Sequence, residues 1–597
     1  MFGSVRNYLL FFLLLLTGCG VVAPPTESPS QPAALETSAM PVNGETAVPS
    51  PPASAVSPQL EPTEQPQISP TATTTMLDIL PAATSSTPAR DLAVSEDSVF
   101  IYPVPAVYEG DLVTFLVRPD VPAIVDSSAV VVQVDVDDSV SLSRSLTTNN
   151  LAGSPSALFT WDWDTRGHVG ERVITVTVDP ADLIVTGDED VTNNQIALAV
   201  PVLPARAKPV RERNAEWLTA ETACCMLHVV SGTAAHRDLN RLTTTVQEAV
   251  EDAATTLGVD IPEPLHFYLI DRVIGQGGYA SSTVVVSYLD RNYVGEGITE
   301  LITHEAVHLL DYQFAPNRIS FLAEGLAVWV TGGHYKVEDI DQRVKALRET
   351  GLYVPLASLA DDFYAHQHEL GYLQAGGFIQ FLVNSYGWDR VRAFYGDVGS
   401  DESSAPSQML EAALQRHFGT TLNAIERDWF VYLDSLPRDP DTVADLLATI
   451  RYYDLMRAYQ LKYDPTAHFL QAWLPSAREL EERQITADLT RHPNDELNVT
   501  LEVMFVAVDR ALRSGNVDEA NVLLESIERA LENDGLFLDP LGLNYSQIVH
   551  KLMVVGYEVY QIELQDNRAL AQVTEGRQVV LRTVGMLLRN RTWVLLN

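Results

Sequence analysis

The feature that most limits how this chain can fold is a pair of histidines, His304 and His308, within the apolar segment Leu301 to Leu310. On an α-helix, residues four apart project from one face about one turn from each other, so both imidazoles can reach one metal ion. Glu305 lies about 100° around that helix from His304, beside the metal but not bound to it. Glu324, sixteen positions after His308, is the candidate third ligand. The pattern predicts a tetrahedral Zn²⁺ site with a general base next to it.

The segment around the two histidines is predicted to be largely buried. Its apolar residues are Leu301, Ile302, Val307, Leu309 and Leu310. Unpaired polar side chains on a buried helix are costly, and metal binding compensates for that cost. A helix with two hydrogen-bonded surface histidines is the alternative, and it does not account for the apolar flanks.

The first nineteen residues are predicted to be a lipoprotein signal peptide. Arg6 precedes the apolar run Leu9 to Leu16, which is too short to span a membrane. The following Leu16-Thr-Gly-Cys19 resembles a bacterial lipobox, which implies export and anchoring to a bacterial membrane through lipidated Cys19. A simple secretory signal with an incidental cysteine is the alternative. Residues 20–95 are rich in Pro, Ser and Thr and are predicted to form a disordered tether.

Charge and cysteine content restrict the partners and the covalent framework. The net charge of −40 argues against nucleic acid as a partner, because nucleic-acid binding needs basic patches. Apart from Cys19, the only cysteines are the adjacent Cys224 and Cys225. A bridge between neighbours is strained, so we expect two small buried side chains on a strand.

Residues 96–205 are predicted to form a β-sandwich, because short runs of alternating apolar and polar residues are separated by turn residues. The end of this region, Gly187 to Val202, resembles the closing hairpin of CARDB-type immunoglobulin-like domains. That resemblance implies an adhesion or spacer module that would contact extracellular protein or cell wall. The acidic run Asp188 to Asp190 suits either Ca²⁺ binding or turn formation, and turn formation is the interpretation we favour.

The rest of the chain is predicted to contain two further domains. In residues 206–437, strands precede the histidine-bearing helix and more helices follow it, which is an α+β order. Residues 438–597 are predicted to be mostly helical, including a helical hairpin around Ser514-Gly-Asn, and to end in a small antiparallel sheet. The predicted fold is therefore multidomain.

The central region resembles the gluzincin metallopeptidases, and most closely their peptidase MA-like branch. The matching pieces are His304-Glu-Ala-Val-His308, Phe321-Leu-Ala-Glu324-Gly-Leu-Ala and, less specifically, Tyr372-Leu-Gln-Ala-Gly-Gly. The resemblance implies a zincin-type metallopeptidase domain in which His304, His308 and Glu324 bind Zn²⁺ and Glu305 acts as the base for a zinc-activated water. It also implies that Tyr372 stabilises the oxyanion, for which His366 and His368 are rival candidates.

Three departures from related patterns narrow this expectation. Val328 stands where the thermolysin pattern has an acidic residue, so another group must orient a histidine, and Asp311 is available. Asp311 and Phe314 occupy positions where a metzincin has glycine and histidine, which excludes that class. The loop from Gly275 to Ser281 lacks the glutamate with which aminopeptidases grip a free amine. The strand after this loop could instead bind an extended peptide by edge pairing.

These observations predict an extracytoplasmic, membrane-anchored zinc metallopeptidase that acts on polypeptides, with endopeptidase action favoured. The alternative is a binding or assembly lipoprotein with a catalytically idle metallopeptidase-like domain. The intact Glu305 favours the enzyme, because a degenerate site commonly loses its base. Hydrolysis of a non-peptide amide, such as cell-wall material, is a third interpretation.

Overall fold

The computed structural model describes residues 91–596, apart from 103–105, 152–153, 262–263, 276, 296, 400–403, 469–476 and 576–579. The predicted signal peptide, the lipobox at Cys19 and the tether up to residue 90 lie outside the described residues. Among the described residues, no helix is both long and apolar enough to cross a membrane.

The N-terminal region is rich in β-structure and forms two facing sheets. Its strands are β1 Val99–Tyr102, β2 Val107–Tyr108, β3 Leu112–Val117, β4 Val131–Val136, β5 Ser139–Ser145, β6 Thr147–Leu151, β7 Ser154–Asp164, β8 Gly170–Val178 and β9 Gln195–Leu203. One sheet has the order β1-β3-β7-β6 and the other β2-β9-β8-β4-β5. Residues of β4 alternate between partly exposed and buried, as expected for a strand with one face on a core. Phe115, Trp161 and Trp163 pack together inside.

The sandwich includes residues that the sequence assigns to the tether. Leu92 and Val94 are buried in its core, and Ala93 pairs with Asp120. The carboxylate of Asp91 accepts hydrogen bonds from the backbone N–H groups of Glu189 and Asp190. Any shortened form of the protein must therefore begin no later than Asp91.

The central region has a five-stranded mixed sheet covered by helices. Its first elements are α1 Val210–Arg213, β10 Trp217–Glu221, β11 Cys225–Val230, α2 Ala234–Arg237, α3 Leu239–Leu257, β12 Leu265–Ile270, β13 Gly278–Ala280, β14 Val284–Ser287 and α4 Ile298–Leu310. The sheet order is β10-β11-β12-β14-β13, so β13 is an edge strand. The predicted edge strand, Val284–Ser287, instead lies between β12 and β13. Helix α3 ends at Gly258, whose φ of 64° suits a residue without a side chain.

Seven further helices complete the central region. They are α5 Ser320–Thr331, α6 Ile340–Glu349, α7 Leu356–Asp361, α8 His368–Tyr386, α9 Trp388–Asp397, α10 Pro406–Phe418 and α11 Leu422–Ser435. Helices α5 and α8 cross closely: a Cβ built on Gly325 would lie 2.6 Å from the carbonyl oxygen of Ala375, and one on Gly376 would lie 2.4 Å from Val328 Cγ1. Two helices can approach this closely only where one of them lacks a side chain.

The C-terminal region is helical and ends in an antiparallel sheet, as predicted. Its elements are α12 Pro440–Tyr463, α13 Ala477–Glu482, α14 Glu496–Arg513, α15 Val517–Glu532, α16 Pro540–Val554, β15 Tyr557–Gln565, β16 Arg568–Glu575, β17 Arg582–Arg589 and β18 Thr592–Leu595. Strand β17 was not identified from the sequence. Tyr293 and Tyr335 of the central region lie in the same hydrophobic core as these helices and strands. A few central residues therefore pack into the core of the C-terminal region.

The expectation for the adjacent cysteines is wrong: the Sγ atoms of Cys224 and Cys225 form a disulfide. Both residues are buried, as predicted. Only Cys225 belongs to β11, and Cys224 lies in the bend before it. The extended geometry of a strand is therefore not imposed on both residues.

Candidate metal centre

Helix α4 holds both motif histidines in a buried position between two layers. Leu301, Ile302 and Ala306 pack towards the sheet and α3. Val307 and Leu310 pack into the core that contains α5 and α8. Because apolar residues cover both sides, the helix cannot rotate to place His304 and His308 in water. Their ring centroids are 5.0 Å apart.

Helix α5 brings Glu324 to the same point. Glu324 Oε2 lies 3.0 Å from His304 Nε2 and 3.2 Å from His308 Nε2. The three residues offer donor atoms that all lie within 4.8 Å of one another. Gly325, the next residue, allows α5 to press against α8 and so fixes the depth of this carboxylate.

These side chains fit a divalent metal of the zinc type. Two imidazole nitrogens and one carboxylate oxygen are a common catalytic donor set for Zn²⁺. Ligand atoms about 2.0–2.1 Å from a tetrahedral ion are about 3.3 Å from each other. The observed separations of 3.0 and 3.2 Å are close to that value.

Charge in the metal-free centre is concentrated on Glu324 and His308. Burial lowers the pKa of His304 to about 4, although Glu324 opposes this effect. Burial also acts to lower the pKa of His308, but Glu324, Glu305 and Asp311 outweigh it and raise that pKa to about 9. For Glu324, burial is outweighed by the two imidazoles, which hold the pKa of the carboxyl well below its usual range. A metal ion would take the place of the proton on His308.

The second oxygen of Glu324 is held by Tyr364, which the sequence analysis missed. The Tyr364 hydroxyl donates a hydrogen bond of 2.7 Å to Glu324 Oε1. Burial and the charge of Glu324 raise the pKa of this tyrosine well above its ordinary value, so it remains a donor. Tyr364 lies outside every motif, forty positions after Glu324, and no sequence signal pointed to it.

Glu305 lies on the side of α4 that faces the edge strand β13. It is buried, and a Cβ built on Gly278 would lie 3.6 Å from Glu305 Cγ. The same Cβ would lie 2.9 Å from the carbonyl oxygen of Val285, so residue 278 has little room for a side chain. The candidate base thus lies next to the free edge of the sheet.

Tyr372 lies in a layer of buried rings beside the candidate ligands. Its ring centroid is 5.9 Å from that of His304, 4.2 Å from His368 and 4.5 Å from His334. Tyr453 of the C-terminal region adds to the layer, 5.4 Å from His368. The structure thus brings two of the rival oxyanion donors, Tyr372 and His368, next to the centre, and His368 Nε2 has no hydrogen-bond partner among the residues that the structure describes.

His366 and His334 differ from the expectation. His366 is partly exposed, and its Nε2 lies 3.4 Å from Ser358 Oγ. His334, which follows α5 and was not identified from the sequence, is buried, with Nδ1 2.5 Å from Glu369 Oε2. The position of His334 depends on the chain reversal at Gly332 and Gly333, so a sequence pattern could not have indicated it.

Asp311 supports the end of the motif helix. Its Oδ2 atom accepts a hydrogen bond of 2.5 Å from Tyr395 and lies 2.8 Å from Arg318 Nε. Arg318 also donates to the backbone carbonyl of His308, at 2.8 Å. Val328, at the position that is acidic in the thermolysin pattern, is fully buried in the helical core. Asp311 therefore acts on His308 through its charge and through Arg318.

No sequence-family profile and no curated protein matches this chain. A CARDB domain from Pyrococcus furiosus is 21% identical, with a TM-score of 0.14, over 18% of this chain and 93% of that domain. A metallopeptidase from Bacteroides thetaiotaomicron is 9% identical, with a TM-score of 0.21, over 85% of this chain and 86% of that one. Structural similarity this low carries no functional argument, so what the chain does must be argued from the centre itself.

Proposed function

We propose that this protein is a zinc-dependent peptidase that hydrolyses polypeptides. The observation that carries the proposal is the convergence of His304 Nε2 and His308 Nε2 on Glu324 Oε2, at 3.0 and 3.2 Å. Glu305 adds an acid–base group on the same helix. Two histidines and a glutamate would hold the ion, with Tyr364 fixing the glutamate from the other side.

Each residue of the centre has a distinct chemical task in this proposal. When bound, zinc supplies a Lewis acid that polarises a carbonyl and lowers the pKa of water. The Glu305 carboxylate takes a proton from the attacking water and passes it to the nitrogen of the leaving amine. Tyr372, with His368 as the alternative, donates a hydrogen bond to the carbonyl oxygen as it gains negative charge.

The edge strand supports an extended polypeptide as the substrate. Strand β13 ends the central sheet and lies against α4 near Glu305. An extended segment can add to such an edge through its backbone, and this places an internal peptide bond near the base. The loop from Gly275 to Ser281, which includes β13, contains no acidic residue that could bind the free amino group of a substrate. We therefore favour endopeptidase action.

We further propose that the protein works outside the cytoplasm, anchored through Cys19, with the sandwich contacting extracellular protein or cell wall. The apolar run before Cys19 and the Pro-rich stretch after it support this location, and the charge of −40 argues against nucleic acid as a partner. Metabolic labelling with palmitate checks the anchor: the label should enter the wild type and be absent from Cys19→Ala.

Metal content and cleavage by matched variants test the proposal. We expect the purified chain to carry about one zinc and to cleave an unfolded casein. Glu305→Gln should retain the zinc but lose activity by a factor of about 10²–10⁴. Glu300→Gln, on the first turn of the same helix, is the control and should behave like the wild type. Full activity in Glu305→Gln, or a wild type without metal, would contradict the mechanism. Bound zinc with no cleavage would instead support the alternative of an idle, binding lipoprotein.

A further inference from the structure

Three carboxylates meet at one end of the β-sandwich, far along the chain from the zinc-type centre. Asp179 follows β8, and Asp182 and Asp188 lie in the connection to β9. One oxygen of each lies within 4.8 Å of the others. Asp179 and Asp188 are each only 6% exposed. Within the described residues, none of the three forms an ion pair with lysine or arginine.

Among the described residues, one buried oxygen of this cluster and one of its neighbour Asn194 have no hydrogen-bond donor. Asp188 Oδ2 accepts a hydrogen bond of 2.7 Å from Asn194 Nδ2, but Asp188 Oδ1 has no partner. Asn194 is 6% exposed, and its Oδ1 atom is also buried without a partner. A buried carboxylate oxygen without a donor is costly, and more so beside Asp179 and Asp182. A cation would remove this cost.

Turn geometry accounts for the neighbouring acidic residues, and for one oxygen of Asp179, whose Oδ2 atom accepts a hydrogen bond of 2.7 Å from the N–H of Ile184. Asp190 Oδ1 accepts a hydrogen bond of 3.1 Å from the N–H of Thr192, and its carboxylate caps that turn. Asp91 accepts from the backbone of Glu189 and Asp190. The interpretation of Asp188 to Asp190 as turn residues therefore holds for Asp190 but leaves Asp188 unexplained.

We propose that Asp179, Asp182 and Asp188 form a Ca²⁺ site. All donors are oxygens, and none is nitrogen or sulfur, which selects a hard cation. Ligands about 2.3–2.6 Å from Ca²⁺ can be up to about 5 Å apart across the ion, whereas Mg²⁺ needs a tighter octahedron of about 4.2 Å. The three carboxylates meet within that limit, and one of them belongs to an exposed loop residue, which suits the less strict coordination geometry of Ca²⁺. The site is independent of the proposed peptidase activity and would join the β8–β9 connection to the sandwich.

Calcium titration of the full chain tests the site. We expect calorimetry to detect one Ca²⁺ with a Kd of about 10⁻⁴–10⁻³ M, and Mg²⁺ to bind at least about tenfold more weakly. Millimolar Ca²⁺ should raise an unfolding temperature of the protein, measured by scanning calorimetry, and EDTA should reverse the rise. Asp188→Asn should lose both the heat and the rise, whereas the control Asp190→Asn should retain both.

Stability in EDTA distinguishes a metal site from a structural role. Asp188→Asn removes a buried charge, so in EDTA it should be at least as stable as the wild type, and in Ca²⁺ it should be less stable. The exposed Asp182→Asn provides a second variant and should weaken Ca²⁺ binding by at least about tenfold. A wild type with no calcium-dependent heat or stabilisation would overturn the proposal, as would wild-type calcium binding by both variants.

Discussion

At the scale of single residues, the carboxylate of Glu324 is held from two sides. The imidazoles of His304 and His308 approach one oxygen, and the hydroxyl of Tyr364 binds the other. A carboxylate fixed in this way presents one lone pair to a metal and cannot rotate away from it. The partner that orients a ligand is often nearly as important for metal affinity as the ligand itself.

Replacing Tyr364 tests this arrangement. Tyr364→Phe keeps the ring but removes the donor to Glu324 Oε1. We expect zinc affinity, measured by chelator competition, to fall about 10–100-fold without loss of the fold. Tyr386→Phe is the control, since that ring packs against Phe418 at the far end of α8 and should leave affinity unchanged. Equal affinity in both variants would show that Tyr364 does not orient Glu324.

At the scale of helices, the crossing of α5 and α8 determines where the third ligand lies. Gly325 and Gly376 remove side chains from both helices at the crossing, where backbone and Val328 fill the space. Glu324 and Tyr372 flank this contact, one on each helix. A change in the separation of the two helices would therefore alter the centre without touching any candidate ligand.

Adding one methyl group at the crossing tests its tightness. Gly325→Ala would place Cβ 2.6 Å from the Ala375 carbonyl oxygen. We expect a loss of about 1–3 kcal/mol in the free energy of unfolding, measured by urea denaturation. Gly371→Ala on α8 is the matched control, because its Cβ would have ordinary contacts at 3.5 Å. That variant should gain about 0.5–1 kcal/mol from helix propensity. A Gly325→Ala protein as stable as the control would contradict the tight crossing.

At the scale of the whole molecule, buried arginines connect regions that are distant in sequence. Arg491 of the C-terminal region lies 2.7 Å from Asp111 of the sandwich and also pairs with Glu212. Arg291 of the central region pairs with Glu502 and donates to the carbonyl oxygen of Val559. The C-terminal region also contributes Tyr453 to the ring layer beside His368. This region thus helps to build the centre.

Two arginines that reach the sandwich should differ strongly in their contribution to stability. Arg491 and Asp111 have side chains only 4% and 2% exposed, whereas Arg483 and Asp162 are 44% and 42% exposed and 3.4 Å apart. Arg491→Met should cost about 3 kcal/mol, at the lower end for a broken buried pair because Lys208 still contacts Asp111. Arg483→Met should cost less than about 1 kcal/mol. The midpoint of urea denaturation of the whole protein measures both, and similar midpoints would contradict this ranking.

Local patterns predicted the elements that depend on neighbouring residues. Helix α4, Ile298–Leu310, includes the apolar segment around the two histidines as predicted, because its apolar residues and its histidine spacing are both local signals. Several strands of the sandwich, and three of the four strands of the C-terminal sheet, also followed from alternation, whereas β17 did not. His304, His308 and Glu324 were identified because they lie within about twenty residues of each other and form a pattern with a chemical reason.

Contacts between distant segments could not be predicted in this way. Tyr364 and His334 reach the centre through the path of the chain around α5 and α8, and neither belongs to a periodic pattern. The edge position of β13 depends on pairing order, which a three-residue segment does not specify. The disulfide at Cys224 depends on where β11 begins, because the strand starts at Cys225, one residue later.

The edge strand β13 also bears on whether the proposed peptidase would cleave its own chain. Only Gly278 to Ala280 form this strand, so recognition there would depend on a few backbone N–H and C=O groups of the partner segment. Proline has no N–H to donate, and its ring prevents it from continuing a paired strand. Residues 20–90 of this same chain are rich in proline, which makes them a poor match for that edge. Under the proposed function, the stretch that follows the proposed anchor at Cys19 would thus resist cleavage at the proposed metal centre.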